Sequence, residues 1–362
     1  MMGPVVLTRA VPLTTVLLLL PLLVLSACGG PGTTTSTPPP SPAEAASPSV
    51  AASPSGIPLP TPTVAGTIAF TRHAENEWTQ VDHDICVVDT DGTGLKVLAG
   101  GEGCQMYPQW SPDGSKIVYY QSTTGDGDPQ NVWVMNADGS GKVQLTSDTA
   151  REVRSIWPSW SPDGRRIVFS HEVFYAGGVG RMAIYAMNAD GSGVRNVTSK
   201  KGSGGTLADY WPTWERDGTI SFYRNTGGGV LSKFSVDPDG SGLTRVVREA
   251  GVTEYEDEGK WVKYVLGASP DGKWVVRHDV KTDRLVVVPV RGAGAPVALL
   301  DPVAAYADIS IDAAWSPDGE ALALAAQSET PFSRLYIVNA DGTGLSAVPG
   351  VDAAMQPAWR PE

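Results

Sequence analysis

Basic residues, histidine and cysteine are scarce in this sequence, and the shortage of basic residues excludes one class of function. Lys and Arg total 27 against 39 Asp and Glu, which gives a net charge of −12 at pH 7. No cluster of basic residues is present to neutralise phosphates, so nucleic-acid binding is excluded. The same acidity repels anionic lipid head groups, so attachment to a membrane requires something other than surface charge.

Motifs for catalysis are also missing. The sequence has no Gly-x-Ser-x-Gly motif, with which α/β-hydrolases present a nucleophilic serine. The histidines, which are His73, His83, His171 and His278, fall in different repeats or loops without the spacing of metal ligands. We therefore expect a protein that is not an enzyme and that has no cofactor and no metal.

The N-terminus supplies a means of membrane attachment. An apolar run from Val11 to Leu25, preceded by Arg9, suits the core of a signal peptide and is short for a transmembrane helix. It ends in Leu-Ser-Ala-Cys28, which looks like a bacterial lipobox, although an ordinary secretory signal with a chance cysteine is the alternative. We expect residues 1–27 to be removed and Cys28 to carry lipid, anchoring the protein to the cell membrane on its periplasmic or exterior side.

Residues 28–64 are dominated by Pro, Ser, Thr, Ala and Gly. Such a stretch cannot bury enough apolar surface to fold, so it predicts a disordered stalk that holds the domain at 65–362 away from the bilayer. The remaining cysteines, Cys86 and Cys104, are exported to an oxidising compartment, which favours a disulfide. Sequence spacing alone leaves both the bridged and the free alternatives open.

Two short motifs recur along the domain. The first is Trp-Ser-Pro-Asp-Gly, strongest at residues 110–114, 160–164 and 315–319, weaker at 214–218 and 268–272, and cut short at 359–362. The second is Asn-Ala-Asp-Gly-Ser-Gly at 136–141, with variants in the other repeats. Both are turn sequences, the first a type I turn with Pro at its second position and the second a hairpin loop whose Gly takes positive φ. A period near 50 residues is typical of propellers and arrays.

Strand-like runs separate the turns, four to a repeat. The sequence therefore predicts an all-β, six-bladed β-propeller of four-stranded antiparallel blades. The domain enters at Thr67 in what corresponds to a second strand, and the missing first strand returns at Gln356–Trp359. We expect these terminal strands to pair and close the ring, which removes free sheet edges.

The two turn motifs resemble the TolB-like propeller repeats of bacterial envelope proteins over roughly residues 65–362. The resemblance implies the propeller fold and a scaffold-like role. The sequence departs from TolB itself in having a lipobox, and in having a stalk where TolB has an N-terminal α/β domain. It therefore does not imply membership of the Tol–Pal system, because a fold alone does not establish a function.

Two features of the repeats have both a functional and a structural interpretation. The Asp-x-Asp-Gly-type loops resemble the start of calcium sites, but no downstream Glu completes a coordination shell, which favours turns alone. The repeated tryptophans are better explained by packing between blades than by a ligand cage. Those tryptophans are Trp110, Trp160, Trp214, Trp315 and Trp359.

The most variable loops predict where binding occurs. Both turn motifs lie on one face of a blade, so the second-to-third and blade-to-blade loops share the opposite face, where binding sites on rigid scaffolds usually lie. This variable-loop face carries the candidate binding residues Trp78, Tyr107, Trp157, Tyr175, Tyr210, Trp211, Tyr255 and Tyr264. We expect a monomeric binding or scaffold module for another envelope protein. Binding of a glycan or small solute at the channel mouth is the alternative, and a polysaccharide-acting enzyme is the weakest hypothesis.

Overall fold

A computed structural model describes most of the repeat region. The described residues are 64–73, 83–101, 103–122, 129–150, 152–174, 180–198, 208–225, 231–246, 265–279, 284–289, 297–298, 312–327 and 333–362. Within these ranges the regular elements are all β-strands. The same ranges contain no helix long and apolar enough to cross a membrane. The predicted signal peptide, Cys28 and almost all of the predicted stalk lie outside the described residues.

The structure describes 24 strands, which we number in chain order. In chain order they are β1 (Thr67–His73), β2 (His83–Asp89), β3 (Lys96–Ala99), β4 (Gln105–Trp110), β5 (Lys116–Ser122), β6 (Gln130–Asn136), β7 (Val143–Gln144), β8 (Val153–Trp160), β9 (Arg166–Phe174), β10 (Gly180–Asn188), β11 (Arg195–Asn196), β12 (Asp209–Trp214), β13 (Ile220–Asn225), β14 (Leu231–Val236), β15 (Thr244–Arg245), β16 (Val265–Ala268), β17 (Trp274–Asp279), β18 (Arg284–Pro289), β19 (Val297–Ala298), β20 (Asp312–Trp315), β21 (Ala321–Gln327), β22 (Ser333–Asn339), β23 (Ser346–Asp352) and β24 (Ala354–Trp359).

These strands form repeated antiparallel units, each built around the two turn motifs. We call β24 with β1–β3 the first unit, and β4–β7, β8–β11, β12–β15, β16–β19 and β20–β23 the second to sixth units. Each unit has its strands in sequential order across the sheet, and the second and third units are joined into one eight-stranded sheet by a parallel pairing of Gln130 with Arg154. In the second unit, the Ser-Pro-Asp-Gly turn joins β4 to β5 and the Asn-Ala-Asp-Gly turn joins β6 to β7.

The turn chemistry read from the sequence is confirmed in the hydrogen bonds. The Gly114 amide donates to the Ser111 carbonyl over 2.8 Å, as a type I turn requires, and Gly139 closes the second turn on Asn136 over 2.9 Å. Both glycines have positive φ, 64° and 88°. The Asp138 carboxylate accepts hydrogen bonds from the Ser140 amide and hydroxyl at 2.8 and 2.6 Å. This carboxylate therefore belongs to the turn, as the turn interpretation predicted.

The first unit is assembled from both ends of the domain. Strand β24 pairs with β1 in an antiparallel register that aligns Ile68 with Trp359 and Arg72 with Ala354. The C-terminal strand is thus the edge strand next to β1, in the order β24-β1-β2-β3.

Buried aliphatic and aromatic side chains fill the spaces between neighbouring units, with the repeated tryptophans among them. The indole N–H groups of Trp110, Trp160 and Trp359 donate to backbone carbonyls of the preceding unit, at 3.1, 3.3 and 2.9 Å. Trp214 instead donates to its own turn at Gly218, while its ring packs among residues of the third and fourth units. Packing between units is therefore confirmed for these tryptophans.

The structure bears on the two alternatives that the sequence left open for the cysteines. Cys86 lies on β2 directly opposite Phe70 of β1, and alternation along the strand turns its side chain into the hydrophobic core between the first and sixth units. It is a free cysteine with none of its surface exposed. Cys104 is instead aligned with His83, at the other end of β2. In this structure Cys86 is therefore not bridged to Cys104, which for Cys86 favours the free alternative of the two that the sequence left open.

Candidate functional site

The first strands of four units (β4, β8, β12 and β24) share a backbone irregularity that shapes the variable-loop face. In each of these strands, the residue before a proline adopts left-handed φ values between 49° and 57°, which are uncommon for residues with large side chains. These residues are Tyr107, Trp157, Trp211 and Gln356. A register shift in the strand pairing accompanies each one, which is the mark of a β-bulge.

The bulges bring aromatic side chains of three units together. The ring centroid of Trp157 lies 6.3 Å from that of Tyr107, 6.2 Å from that of Tyr210 and 5.4 Å from that of Trp211. Tyr120 stacks on Tyr107 at one end with a separation of 5.6 Å. Tyr223 contacts Trp211 at the other end at 6.2 Å. We call these six rings the aromatic cluster.

The aromatic cluster lies at the end of the strands away from the repeated turns. Strand β4 runs from Gln105 towards the Ser-Pro-Asp-Gly turn, so Tyr107 lies in its half nearest the variable loops. Tyr107, Trp157, Tyr210 and Trp211 are all partly exposed. The rings rest on a buried layer that contains Ile156 and Met182. Four of the candidate binding residues are therefore neighbours on one partly exposed surface.

A polar contact continues this surface into the first unit. The Oε1 atom of Gln356 accepts hydrogen bonds from the Thr71 hydroxyl at 2.7 Å and from the Tyr107 amide at 3.1 Å. Because Gln356 occupies the same position before proline as Tyr107, the contact ties the bulges of adjacent units to each other.

A buried ion pair supports the cluster from below. Arg224 donates from Nε and Nη2 to the two carboxylate oxygens of Asp209, at 2.6 and 2.8 Å. Its guanidinium also lies 5.2 Å from the ring centres of Phe222 and Phe234. Because Asp209 immediately precedes Tyr210 on β12, this bidentate pair fixes the start of the strand that presents Tyr210 and Trp211.

A second acid–arginine pair borders the cluster with very different geometry. Arg154 and Glu172 are cross-strand neighbours on β8 and β9, but Arg154 Nη1 and Glu172 Oε2 are 3.9 Å apart, beyond hydrogen-bonding distance. The Nε atom of Arg154 is buried and has no hydrogen-bond partner. Burial raises the pKa of Glu172 to about 7, against the opposing effect of Arg154. The Glu172 charge in turn contributes to raising the pKa of Tyr210, after the larger effect of burial.

Ser155, His171 and Asp148 lie close together but do not have the geometry of a catalytic triad. The Ser155 hydroxyl lies 2.7 Å from Asp148 Oδ2 and 3.1 Å from His171 Nδ1, so the serine separates the two groups. In a triad the imidazole stands between serine and carboxylate and contacts each through a different nitrogen. Ser155 is also 1% exposed, which leaves no approach for a substrate.

Sequence reasoning missed several of these neighbours. Tyr120, Tyr223, Arg154 and Glu172 fall on regular strand positions, with no motif to mark them. His73 and His83 were judged too dispersed for a common site, yet they pair across β1 and β2 with Nδ1 and Nε2 3.5 Å apart. The predicted pairing of β1 with β2 was the signal that could have placed these two histidines side by side. Among the described residues, no group of three His, Cys, Asp or Glu side chains is arranged to hold a metal.

The other four predicted binding residues lie outside the described residues. They are Trp78, Tyr175, Tyr255 and Tyr264.

Comparison with known proteins assigns the repeats to a family. A family model described as the TolB beta propeller domain matches residues 63–362. The chain belongs to this family. The resemblance read from the turn motifs is therefore confirmed, and the described region has the all-β propeller fold of TolB-like proteins.

Individual relatives are distant. The chain is 24% identical over 282 residues to the uncharacterized protein Atu1656 of Agrobacterium fabrum, covering 70% of this chain and 80% of that protein. It is similar in structure to TolB from Acinetobacter baumannii, with a TM-score of 0.59 and 19% identity, covering 82% of this chain and 67% of TolB. Hydrazine synthase of Kuenenia stuttgartiensis gives a TM-score of 0.58 with 15% identity, covering 82% of this chain and 47% of that one. Likeness to proteins this different shows a shared fold alone.

Proposed function

We propose that this TolB-family chain is a lipid-anchored, extracytoplasmic binding module, without catalytic activity, that engages another envelope protein through the aromatic cluster. The observation that carries the proposal is the cluster itself. Residues held in sparsely populated φ regions cost about 1–3 kcal/mol each and concentrate at functional sites. Here three such residues, Tyr107, Trp157 and Trp211, present neighbouring aromatic rings on one surface. Tyr and Trp dominate the energetics of protein interfaces, because they bury large area at low entropic cost.

The proposal includes a rigid scaffold in the form of a closed, six-bladed ring. Several contacts between the first and sixth units support it. Ile68 and Phe70 share a hydrophobic cluster with Ala323 and Leu335. A Cβ added at Gly92 would meet the Pro349 carbonyl at 2.7 Å. Such a ring would hold the aromatic rings in fixed relative positions and lower the entropic cost of binding.

The anchoring part of the proposal depends on the N-terminal sequence. The apolar run, the small residues before Cys28 and the Pro-rich stretch that follows are together typical of a tethered lipoprotein. A tether of this kind would confine the module to the membrane surface and raise its effective concentration for a partner in the same envelope.

In-cell crosslinking followed by recovery of the full-length chain tests the proposal. We expect a discrete envelope protein to be recovered with the wild type and lost with the Trp157→Ala/Trp211→Ala variant. A matched control is Leu95→Ala/Val194→Ala, which removes two exposed aliphatic side chains (42% and 51% exposed) that immediately follow turns of the second motif. This control should recover the same protein as the wild type.

The decisive contrast lies between the two double variants, with folding of both checked by thermal unfolding. Equal recovery with the tryptophan variant and the control would refute the role of the aromatic cluster. Recovery of no protein, combined with binding of a neutral glycan to the wild type, would replace protein binding with the glycan alternative.

A further inference from the structure

We propose, on the basis of the protein-binding function above, that Arg154 binds a carboxylate of the partner protein. This carboxylate would belong to an acidic residue that lies next to an apolar one. The inference depends on Arg154 having unused hydrogen-bonding capacity beside the aromatic cluster.

The guanidinium of Arg154 is poorly satisfied for a group so well buried. Its side chain is 15% exposed, and its buried Nε has no hydrogen-bond partner. Its nearest acidic oxygen, on Glu172, is 3.9 Å from Nη1. An arginine carries five N–H donors in a planar fork, and leaving such donors unpaired in a buried site costs free energy. A carboxylate that bonded two of them would recover that cost.

The neighbouring pair in the fourth unit shows what a satisfied arginine looks like in this fold. Arg224 and Asp209 are cross-strand neighbours, as Arg154 and Glu172 are, and the Arg224 fork meets both oxygens of Asp209 at 2.6 and 2.8 Å. The fold can therefore place an acid and an arginine in bidentate contact on adjacent strands. It does not do so at Arg154, whose Nε has no hydrogen-bond partner and whose Nη1 is 3.9 Å from Glu172.

The surroundings of Glu172 explain why it does not neutralise Arg154 at all pH values. Its side chain is 14% exposed. Arg154 of β8 is its charged neighbour across the sheet, Met182 is its partner on β10, and Tyr210 of β12 is near enough for the Glu172 charge to act on it. Burial raises the pKa of Glu172 to about 7. Below that pH Glu172 is mostly neutral, and the charge of Arg154 is then available to an anion.

The apolar borders of Arg154 indicate the rest of the ligand. The Phe174 ring lies 4.7 Å from the guanidinium carbon, and the Arg154 charge acts on Tyr120, which stacks on Tyr107 of the aromatic cluster. The cluster rings are inclined to each other, by 75° for Tyr107 and Trp157 and by 50° for Trp157 and Trp211. A ridged surface of this kind suits side chains of a peptide better than the flat face of a sugar, which favours the peptide as the source of the carboxylate.

Binding of two capped peptides to the full-length chain tests the inference. The probes are acetyl-Gly-Phe-Glu-Gly-amide and its Gln counterpart, which differ only in the carboxylate, followed by tryptophan fluorescence at pH 6. We expect the Glu peptide to bind at least about tenfold more tightly, as charge-assisted hydrogen bonds imply. Arg154→Gln should abolish this preference, whereas Arg334→Gln, which removes an exposed arginine paired with Asp352, should leave it intact.

A second experiment measures the affinity for the Glu peptide at different pH values. A purely structural role for Arg154 would not produce the pH dependence that we expect. As pH rises from 6 to 8, Glu172 ionises and neutralises Arg154, so the affinity for the Glu peptide should fall about tenfold. The Glu172→Gln variant should keep the pH 6 affinity at both values.

Three outcomes overturn the inference. They are equal binding of the two peptides, no measurable binding of the Glu peptide at millimolar concentration, and tighter binding of a uronic-acid trisaccharide that depends on Arg154 while the peptides are not distinguished. Failure here is separable from failure of the proposed function. If Arg154→Gln still recovers the crosslinked partner and Trp157→Ala/Trp211→Ala does not, the binding module stands and the carboxylate contact is wrong.

Discussion

The buried Asp209–Arg224 pair offers a sharp test of the architecture beneath the aromatic cluster. Replacement of Asp209 by Asn keeps the size of the side chain and removes its charge, leaving the Arg224 guanidinium uncompensated. The two side chains are 4% and 11% exposed. Breaking a buried ion pair by removing one partner costs about 3–5 kcal/mol. We therefore expect the free energy of unfolding to fall by about that amount.

The chain also contains a matched exposed pair. Arg334 Nε and Asp352 Oδ1 are 2.8 Å apart, but their side chains are 42% and 57% exposed. Exposed pairs of this kind contribute about 0–1 kcal/mol. The Asp352→Asn variant should therefore be almost as stable as the wild type, although its hydrogen bond is nearly as short.

Thermal and urea unfolding of both variants at pH 7, monitored by tryptophan fluorescence, measures the difference. At roughly 2 °C per kcal/mol for a domain of this size, Asp209→Asn should lower the Tm by about 6–10 °C and Asp352→Asn by no more than about 2 °C. Equal shifts for the two variants would refute the argument that burial decides the contribution of each pair. A double variant, Asp209→Asn/Arg224→Met, should be more stable than Asp209→Asn, because it removes the uncompensated charge.

Three further predictions concern turns and the core. Urea unfolding should show Gly240→Ala to be about 1–3 kcal/mol more destabilising than Gly218→Ala. Both glycines have positive φ, but only at Gly240 does an added Cβ meet backbone, the Val197 carbonyl at 2.7 Å. Equal losses of unfolding free energy in the two variants would contradict this prediction. Hydrogen bonds from Ser111 and Ser115 lower the pKa of Asp113 to about 2, so the contribution of its carboxylate to stability is present above about pH 4 and lost as pH falls towards 2. The Asp113→Asn variant should therefore lose less stability than the wild type as pH falls from 4 to 2. The same acid dependence in both proteins would count against this reasoning. Burial raises the pKa of Cys86 to about 11, so its thiol should resist iodoacetamide at pH 8 in the folded protein and react after unfolding. Mass spectrometry of the labelled peptides measures this difference. Rapid labelling of the folded chain would show that the core around Cys86 is open to solvent.

Much of the fold was determined by the sequence, because turn chemistry is local. The Pro and Gly of Ser-Pro-Asp-Gly restrict φ at fixed positions, and the Asp and Ser of the second motif complete their hydrogen bonds within a few residues. The repeat of these turns fixed the family, the order of strands in a unit and the pairing of the C-terminal strand β24 with β1. The same reasoning located the surface on which Tyr107, Trp157, Tyr210 and Trp211 gather.

Contacts across strands and between units were decided only by the tertiary structure. Whether Cys86 forms a bridge with Cys104 depends on how the strands pair and on the face of β2 that carries the Cys86 side chain. Alternation along the strand turns this side chain into the core. The differing geometry of Arg154–Glu172 and Arg224–Asp209 is invisible in the sequence for the same reason, since both are acid–arginine pairs on adjacent strands. The N–O separations of 3.9 Å and 2.6 Å decide whether hydrogen bonds form in these pairs, and such separations depend on packing by residues far away in the chain. The left-handed residues before proline are a third case, because a bulge is stable only where neighbouring strands hold it in place.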